Sequence, residues 1–363
     1  MPINELNYQN IALAISAYAQ ERWTAERRIN STGIVTTNAD ITPNGENYFG
    51  QLRWYKPLDA VYNQPSTTVD TAGLYTDLST EIANYIKSAR AMGMKQVNIA
   101  QAISKQDGLA WFANQYAQGR AQDEHNAVLS VLKGVAAAEV AVGEGIESFD
   151  DFAGAARGAF IDINADGAFG AAAVGSADAR KLVDASEVGA ARGERLFRAM
   201  GMFWKDYEPD FVYLITPPEQ MAEFRAANLV DDTTITDGNL EFQTLFGGKF
   251  RILLTRANQG NLAASANVND QSTKTSFIVK PGAVIFQDMT VPVPVEIDRV
   301  ANAYRGGGTT EMWYRYGFIA HPLGYDWVGA TNDFASNAAL ASAASWERKV
   351  DPLNLGILPV LHA

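Results

Sequence analysis

Apolar positions along residues 107–138 recur at three- and four-residue steps. Leu109, Phe112, Tyr116, Ala127, Val131 and Val135 fall on one helical face, with Ser104 and Asp107 as N-cap candidates. A helix over 107–138 is about 48 Å long at 1.5 Å per residue. Its middle, 118–126, is mostly polar, unlike a helix wrapped in core on every side. Upstream, Leu78, Ile82, Tyr85, Ile86 and Ala89 predict a further helix over 76–92. Leu13, Ala14, Ala17 and Tyr18 suit a helix or an extended arm within 1–30. Between them, 36–73 is rich in Thr, Asn, Asp, Pro and Gly, and carries Tyr48, Phe49, Gly50, Gln51, Leu52, Arg53, Trp54 and Tyr55 as an aromatic strand. Val61, Tyr62 and Thr67–Val69 are candidates for its return strand. Two strands alone are marginal in water, so the hairpin either folds back on its own domain or covers a partner.

Downstream, 143–175 is rich in Ala, Gly and acids, and a helix is expected over 177–200. Residues 211–215 read as a buried strand, followed by a helix that Pro217 and Pro218 open. From Phe250 onwards the pattern is strand-like, at 250–254, 277–279 and 284–286, the last two flanking a Pro281-Gly282 turn. Val291, Val293, Val295 and Ile297 alternate with Pro292, Pro294, Glu296 and Asp298, and the prolines mark an edge strand. Met312, Tyr314, Tyr316 and Phe318 form the last alternation. Helical and strand-rich stretches are segregated, which predicts α+β.

Composition narrows the function classes. The 363 residues include 41 acids and 29 bases, a net charge of −12, which excludes broad nucleic-acid binding through clustered cations. There is no cysteine and there are three histidines, so thiolate metal sites, disulfides and cysteine nucleophiles are excluded. No basic n-region precedes residues 11–19, and no run approaches 18 apolar residues. We expect a soluble protein made in a cytoplasm, with no membrane partner.

Candidate chemistry is sparse. Asp162, Asn164, Asp166 and Gly167 match the opening of a calcium loop, but its twelfth position is Ala173, where a bidentate Glu belongs. An Asx-rich turn is the preferred reading. The glycines at 306–308 lack a following Lys-Ser/Thr, and His321 has no nucleophile motif near it. Glu144, Glu147, Asp150 and Asp151 read as solvated surface. No catalytic constellation, metal or cofactor is expected, so the chain does not read as an enzyme.

The C-terminal segment carries more information. Residues 315–327, with His321-Pro322-Leu323-Gly324, are followed by Asn337–Ala341 and then Trp346-Glu347-Arg348. This resembles the ending of tailed-bacteriophage major capsid proteins of the Hong Kong 97 type. Asp107-Gly108, Gln115, Arg120, Gln122 and Leu132-Lys133-Gly134-Val135 look like that family's spine helix and its exit. Residues 280–284 and 296–299 look like two of its strands, while the Leu-Gly-Asp it commonly carries is replaced by Met200-Gly201-Met202-Phe203 and Asp206.

The resemblance implies an N-terminal arm (1–40), an extended loop (41–75), a peripheral domain in two parts (76–145 and 271–363) and an axial domain (146–270). It implies that Tyr48, Phe49, Leu52, Trp54 and Tyr55 of the loop contact a neighbouring subunit. It further implies self-assembly through pentameric and hexameric capsomers into an icosahedral shell enclosing double-stranded DNA. Portal proteins, and scaffold or decoration proteins where used, would be its partners; the virion would be its location, after assembly in the host bacterial cytoplasm. An encapsulin-type nanocompartment shell is the alternative within the fold. An acidic metal-dependent hydrolase using Asp162, Asn164 and Asp166 is the alternative from another class.

Overall fold

The structure is a computed structural model that describes residues 23–24, 29–41, 43, 47–55, 80–97, 108–143, 145, 158–162, 194–204, 209–237, 240–255, 274–300 and 308–362. Its first half contains β1 (Val35–Thr36), β2 (Phe49–Tyr55), β3 (Thr80–Val97), α1 (Gly108–Val142), β4 (Ile161–Asp162) and α2 (Glu194–Trp204). Next come β5 (Val212–Thr216), α3 (Pro218–Ala226), β6 (Val230–Asp237), β7 (Leu240–Leu245) and β8 (Phe250–Leu254). The rest supplies β9 (Lys274–Val279), β10 (Val284–Met289), β11 (Val295–Val300), β12 (Thr309–Pro322), β13 (Tyr325–Trp327), α4 (Asn337–Leu340), β14 (Trp346–Arg348) and β15 (Ile357–His362). The expected α+β class holds. So does the long helix, which at 35 residues runs four residues past its expected end.

Two large sheets hold most of the strands, while β13 and β14 pair with each other. One has the order β1-β10-β12-β3-β2, with β11 also on β12; the other runs β4-β15-β9-β5-β8-β7-β6. Helix α1 lies on the first sheet, where Tyr116 stacks on Tyr314 at 3.7 Å between ring centroids and meets Tyr316 edge-on. Met312, Tyr314, Tyr316 and Phe318 of β12 all turn toward that core, as their alternation predicts. Residues of both sheets join one buried cluster.

One element is corrected outright. Residues 80–97 form a strand, not the helix expected over 76–92. Its first half pairs antiparallel with β2, Phe49 opposite Ile86, and its second half with β12, Ile319 opposite Lys87. The apolar set Ile82, Tyr85, Ile86 and Ala89 suits a helical face, but ladder partners along the whole segment outweigh local propensity. In the strand, Ile86 joins the core beneath α1 while Tyr85 joins a smaller cluster of Ile41, Leu52, Ile285 and Ile319. β3 is therefore the return strand of β2; the segments expected in that role, 61–62 and 67–69, lie outside the described residues.

Other expectations hold with small shifts. α3 opens on Pro218 after Pro217, and of the helix expected over 177–200 the described part is α2. β11 begins just after Pro294 and, among the described residues, pairs only with β12, as an edge strand does. Sheet membership crosses the expected boundary at 270/271. Phe277, Ile278 and Val279 are buried, and β9 sits between β5 and β15, so both β9 and β15 belong with 212–254 rather than with the other C-terminal strands.

Candidate assembly surfaces and the C-terminal lock

The residues that carry the family resemblance meet in space. α1 presents Gly134 to the carbonyl of Leu340 and the indole of Trp346, closer than a side chain there would permit. Trp346 Nε1 donates to that same Leu340 carbonyl at 2.8 Å, and Trp327 packs edge-on against the Trp346 ring at 5.1 Å. The Ser336 hydroxyl accepts from the Ala339 amide and caps α4. Five residues beyond Gly134, buried Glu139 accepts from Arg348 Nη1 at 2.7 Å and from the Ala159 amide at 2.6 Å. Burial pushes the Glu139 pKa up, against the pull of Arg348 and the amide.

His321 lies in this lock as a buried core histidine, 5.8 Å from the Trp346 ring. Burial lowers its pKa to about 4, opposed by the backbone of Tyr325. The unfolded chain binds this proton near pH 6.5 and the folded chain only near 4, so acid favours unfolding between those values. The difference corresponds to about 3 kcal/mol, present above pH 6.5 and lost on descent to about 4. Glu139, with its raised pKa, contributes in the opposite direction. We therefore expect His321→Phe to lose less stability than the parent between pH 7 and 4.5 in urea unfolding. Parallel losses in the two chains would contradict this.

A second network joins the N-terminal segment to α1. Glu124, 0% exposed, accepts from Arg120 Nε at 2.8 Å, Trp23 Nε1 at 3.1 Å and Asn30 Nδ2 at 3.3 Å. The Arg120 guanidinium stacks on the Trp23 ring at 3.7 Å and reaches Asp288. Beside it, Asp123 accepts from the Tyr316 hydroxyl and Asn337 Nδ2 and pairs with Arg90. The i, i+4 pair Arg120–Glu124 is legible as a helical spacing; Trp23, Asn30 and Asp288 are not.

The loop residues expected to meet a neighbour have unequal positions. Tyr48 is 38% exposed and rests edge-on against Phe334, itself exposed. Phe49 is half-buried against the core under α1, and Trp54 half-buried against the smaller cluster. Tyr55 ends β2. Leu52 differs from its neighbours: at 1% exposure it fills its own subunit's core, because the two-residue period of β2 turns it inward beside Ile41 and Tyr85. Leu52→Ala should accordingly lower subunit stability by about 2–5 kcal/mol in urea unfolding, whereas Tyr48→Ala should shift it little. Next to these residues is a groove of about 540 Å³ lined by Pro43, Met289, Pro292, Arg315, Gly317 and Phe334.

Among the described residues no three His, Asp or Glu side chains are grouped to hold a metal ion. Asp162 ends β4; Asn164, Asp166 and Ala173, and the acids at 144, 147, 150 and 151, lie outside the described residues. By length and mean hydropathy alone, Ala113–Val142 is apolar enough to cross a membrane, although it contains no unbroken run of 18 apolar residues. Its apolar face packs on the sheet and on the C-terminal lock, and it carries Glu124 and Glu139 in buried ion pairs.

No protein-family model matches the chain, and no curated protein matches it in sequence. Solved structures do. A chain of the capsid of Ralstonia phage GP4 is similar over 92% of this chain and 88% of its own, with a TM-score of 0.50 at 10% identity. The cyanophage Pam1 capsid gives 0.48 at 10% identity, over 94% and 92%. The head of Helicobacter pylori bacteriophage KHP40 gives 0.49 at 8% identity, over 91% and 89%. Over nearly its whole length, this chain has the fold of the Ralstonia phage GP4 capsid chain.

Proposed function

We propose that this chain is a major capsid protein of a tailed bacteriophage, of the Hong Kong 97 type, and a structural protein rather than an enzyme. It assembles with itself through pentameric and hexameric capsomers into an icosahedral shell around a double-stranded DNA genome. The observation that carries this reading is the likeness to the Ralstonia phage GP4 capsid chain over most of both chains. The net charge of −12 agrees with it, since a DNA container functions best when its wall does not bind the polyanion tightly. In this reading 1–40 is the arm, 41–75 the extended loop, α1 the spine of the peripheral domain, and the sheet containing β5–β8 the axial domain. Portal, scaffold and decoration proteins are its partners, and the bacterial cytoplasm is the place of assembly before the virion is complete.

Sedimentation with negative-stain microscopy of the purified chain tests this. We expect closed shells or capsomers of five and six copies; a monomer or dimer at every protein and salt concentration would overturn the reading. Loop variants refine it. Tyr48→Ala should leave the circular dichroism of the subunit unchanged while lowering shell yield, because its ring lies at the surface. Unchanged shell yield would remove Tyr48 from the intersubunit contact.

A further inference from the structure

Past Lys87, the edge of β3 that faces away from β12 has no partner strand among the described residues. Successive residues of a strand turn their amide and carbonyl groups to opposite edges. The Lys87 amide donates to the Tyr48 carbonyl and the Lys87 carbonyl accepts from the Ala335 amide, both on the β2 side, so odd-numbered positions face away from β12. Arg90 Nη1 donates to the Ala89 carbonyl. The next three odd positions, Ala91, Gly93 and Lys95, are exposed. β11, an edge strand of the same sheet, is guarded against self-pairing by Pro292 and Pro294 before it and by Glu296 and Asp298 within it. Residues 91–95 of β3 carry no proline and no acid, and Lys95 is paired with Glu311 of its own sheet. Trp313 stands opposite Gly93, and its ring lies over this edge strand: a Cβ on Gly93 would be 2.5 Å from it. The indole is 42% exposed.

We propose that this edge pairs antiparallel with the same edge of a second copy of the chain, about a two-fold axis at Gly93. An open ladder accepts an extended strand, and this one is complementary to itself. With Gly93 opposite Gly93, Ala91 stands opposite Lys95 and Met92 opposite Met94. No two lysines face each other, and the methionines, half-buried against the core under α1, meet their counterparts on that side. The Gly93–Gly93 and Ala91–Lys95 pairs each exchange two N–H···O=C bonds, which satisfies groups that otherwise face water. On the opposite face the two Trp313 rings close over the axis and bury exposed indole. A two-fold axis normal to the sheet carries it from one copy into the next with both α1 helices on the same side, as the wall of a shell requires. The contact deepens the shell reading and rests on it for its place between neighbouring subunits.

The chain has no cysteine, so introduced ones report alone. In the paired edges, Ala91 of one copy and Lys95 of the other have Cα atoms about 5.5 Å apart, within disulfide reach. Each lies roughly 14 Å from its own counterpart in the second copy, beyond that reach. Ala91→Cys with Lys95→Cys in one chain should therefore form a covalent dimer under mild oxidation, seen on non-reducing denaturing gels. Either single variant should form several-fold less. No dimer from the double variant, equal linkage in a single variant, or a ladder of longer oligomers would each overturn the two-fold pairing. Should the double variant not fold, amide exchange of the parent chain decides. The Ala91, Gly93 and Lys95 amides should exchange several-fold more slowly in the associated chain than in diluted subunits, and equal rates overturn the proposal. Shells without the 91–95 link would remove this contact and leave the shell reading standing. Linked dimers that never close into particles would do the reverse, and a chain that stays monomeric would overturn both.

Discussion

Gly134→Ala is expected to destabilise the subunit by the upper part of about 1–3 kcal/mol, or more, although alanine is the better helix former by about 1 kcal/mol. The reason is the lock between α1 and the C-terminal segment. A Cβ on Gly134 would overlap the Leu340 carbonyl and the Trp346 indole, and the carbonyl belongs to backbone held by the α4 turn. Neither can retreat without breaking the hydrogen bond from Trp346 to Leu340. Gly119, fifteen residues earlier on the same helix, is the control: a Cβ there meets only the terminal methyl of Met92 at 3.0 Å. Gly119→Ala should be neutral or stabilising by up to about 1 kcal/mol. Urea unfolding of unassembled subunits compares the two, and equal stabilities for both variants would refute the lock.

Arg348→Met should have the second large effect, a loss of about 3–5 kcal/mol at neutral pH, because it strands a buried carboxylate. Glu139 is almost fully enclosed, and beside Arg348 the Ala159 amide also donates to it. Its pKa, already raised by burial, should rise further once the guanidinium is gone. A carboxyl whose folded pKa lies above its unfolded value gains stability as pH falls through the folded value. The variant's deficit should therefore shrink on mild acidification, and Glu139→Gln in the same chain should restore part of it at neutral pH. A deficit that does not change with pH would mean that lost packing, not the stranded charge, is responsible.

These residues also mark how far the amino-acid pattern reaches. α1 is legible because apolar residues return to one face on both sides of its polar middle, from Leu109 to Val135, and β12 because Met312, Tyr314, Tyr316 and Phe318 keep a strict period of two. β3 was misread because Ile82, Tyr85, Ile86 and Ala89 satisfy a helical face, and only the partners on β2 and β12 reveal the strand. Leu52 stands in an aromatic segment whose pattern alone leaves open whether it packs on its own domain or on a partner, and its inward turn depends on the register with β3. The motif Trp346-Glu347-Arg348 was visible as a likeness, but its task was not. Arg348 reaches a glutamate 209 residues away, and Trp23 reaches Glu124 across 101, separations that no local period encodes. The division between the sheets was blurred for the same reason: β9 and β15 are apolar runs, and which sheet receives them is decided by neighbours distant in the chain.

The central claim, that this fold builds a shell, is tested most directly by cryo-electron microscopy of the purified, assembled chain. The account predicts a closed icosahedral particle with five- and six-fold capsomers, each subunit showing α1 across the six-stranded sheet and Trp346 seated on Gly134. Discrete monomers or dimers under all assembly conditions, or particles whose subunits lack that arrangement, would contradict it.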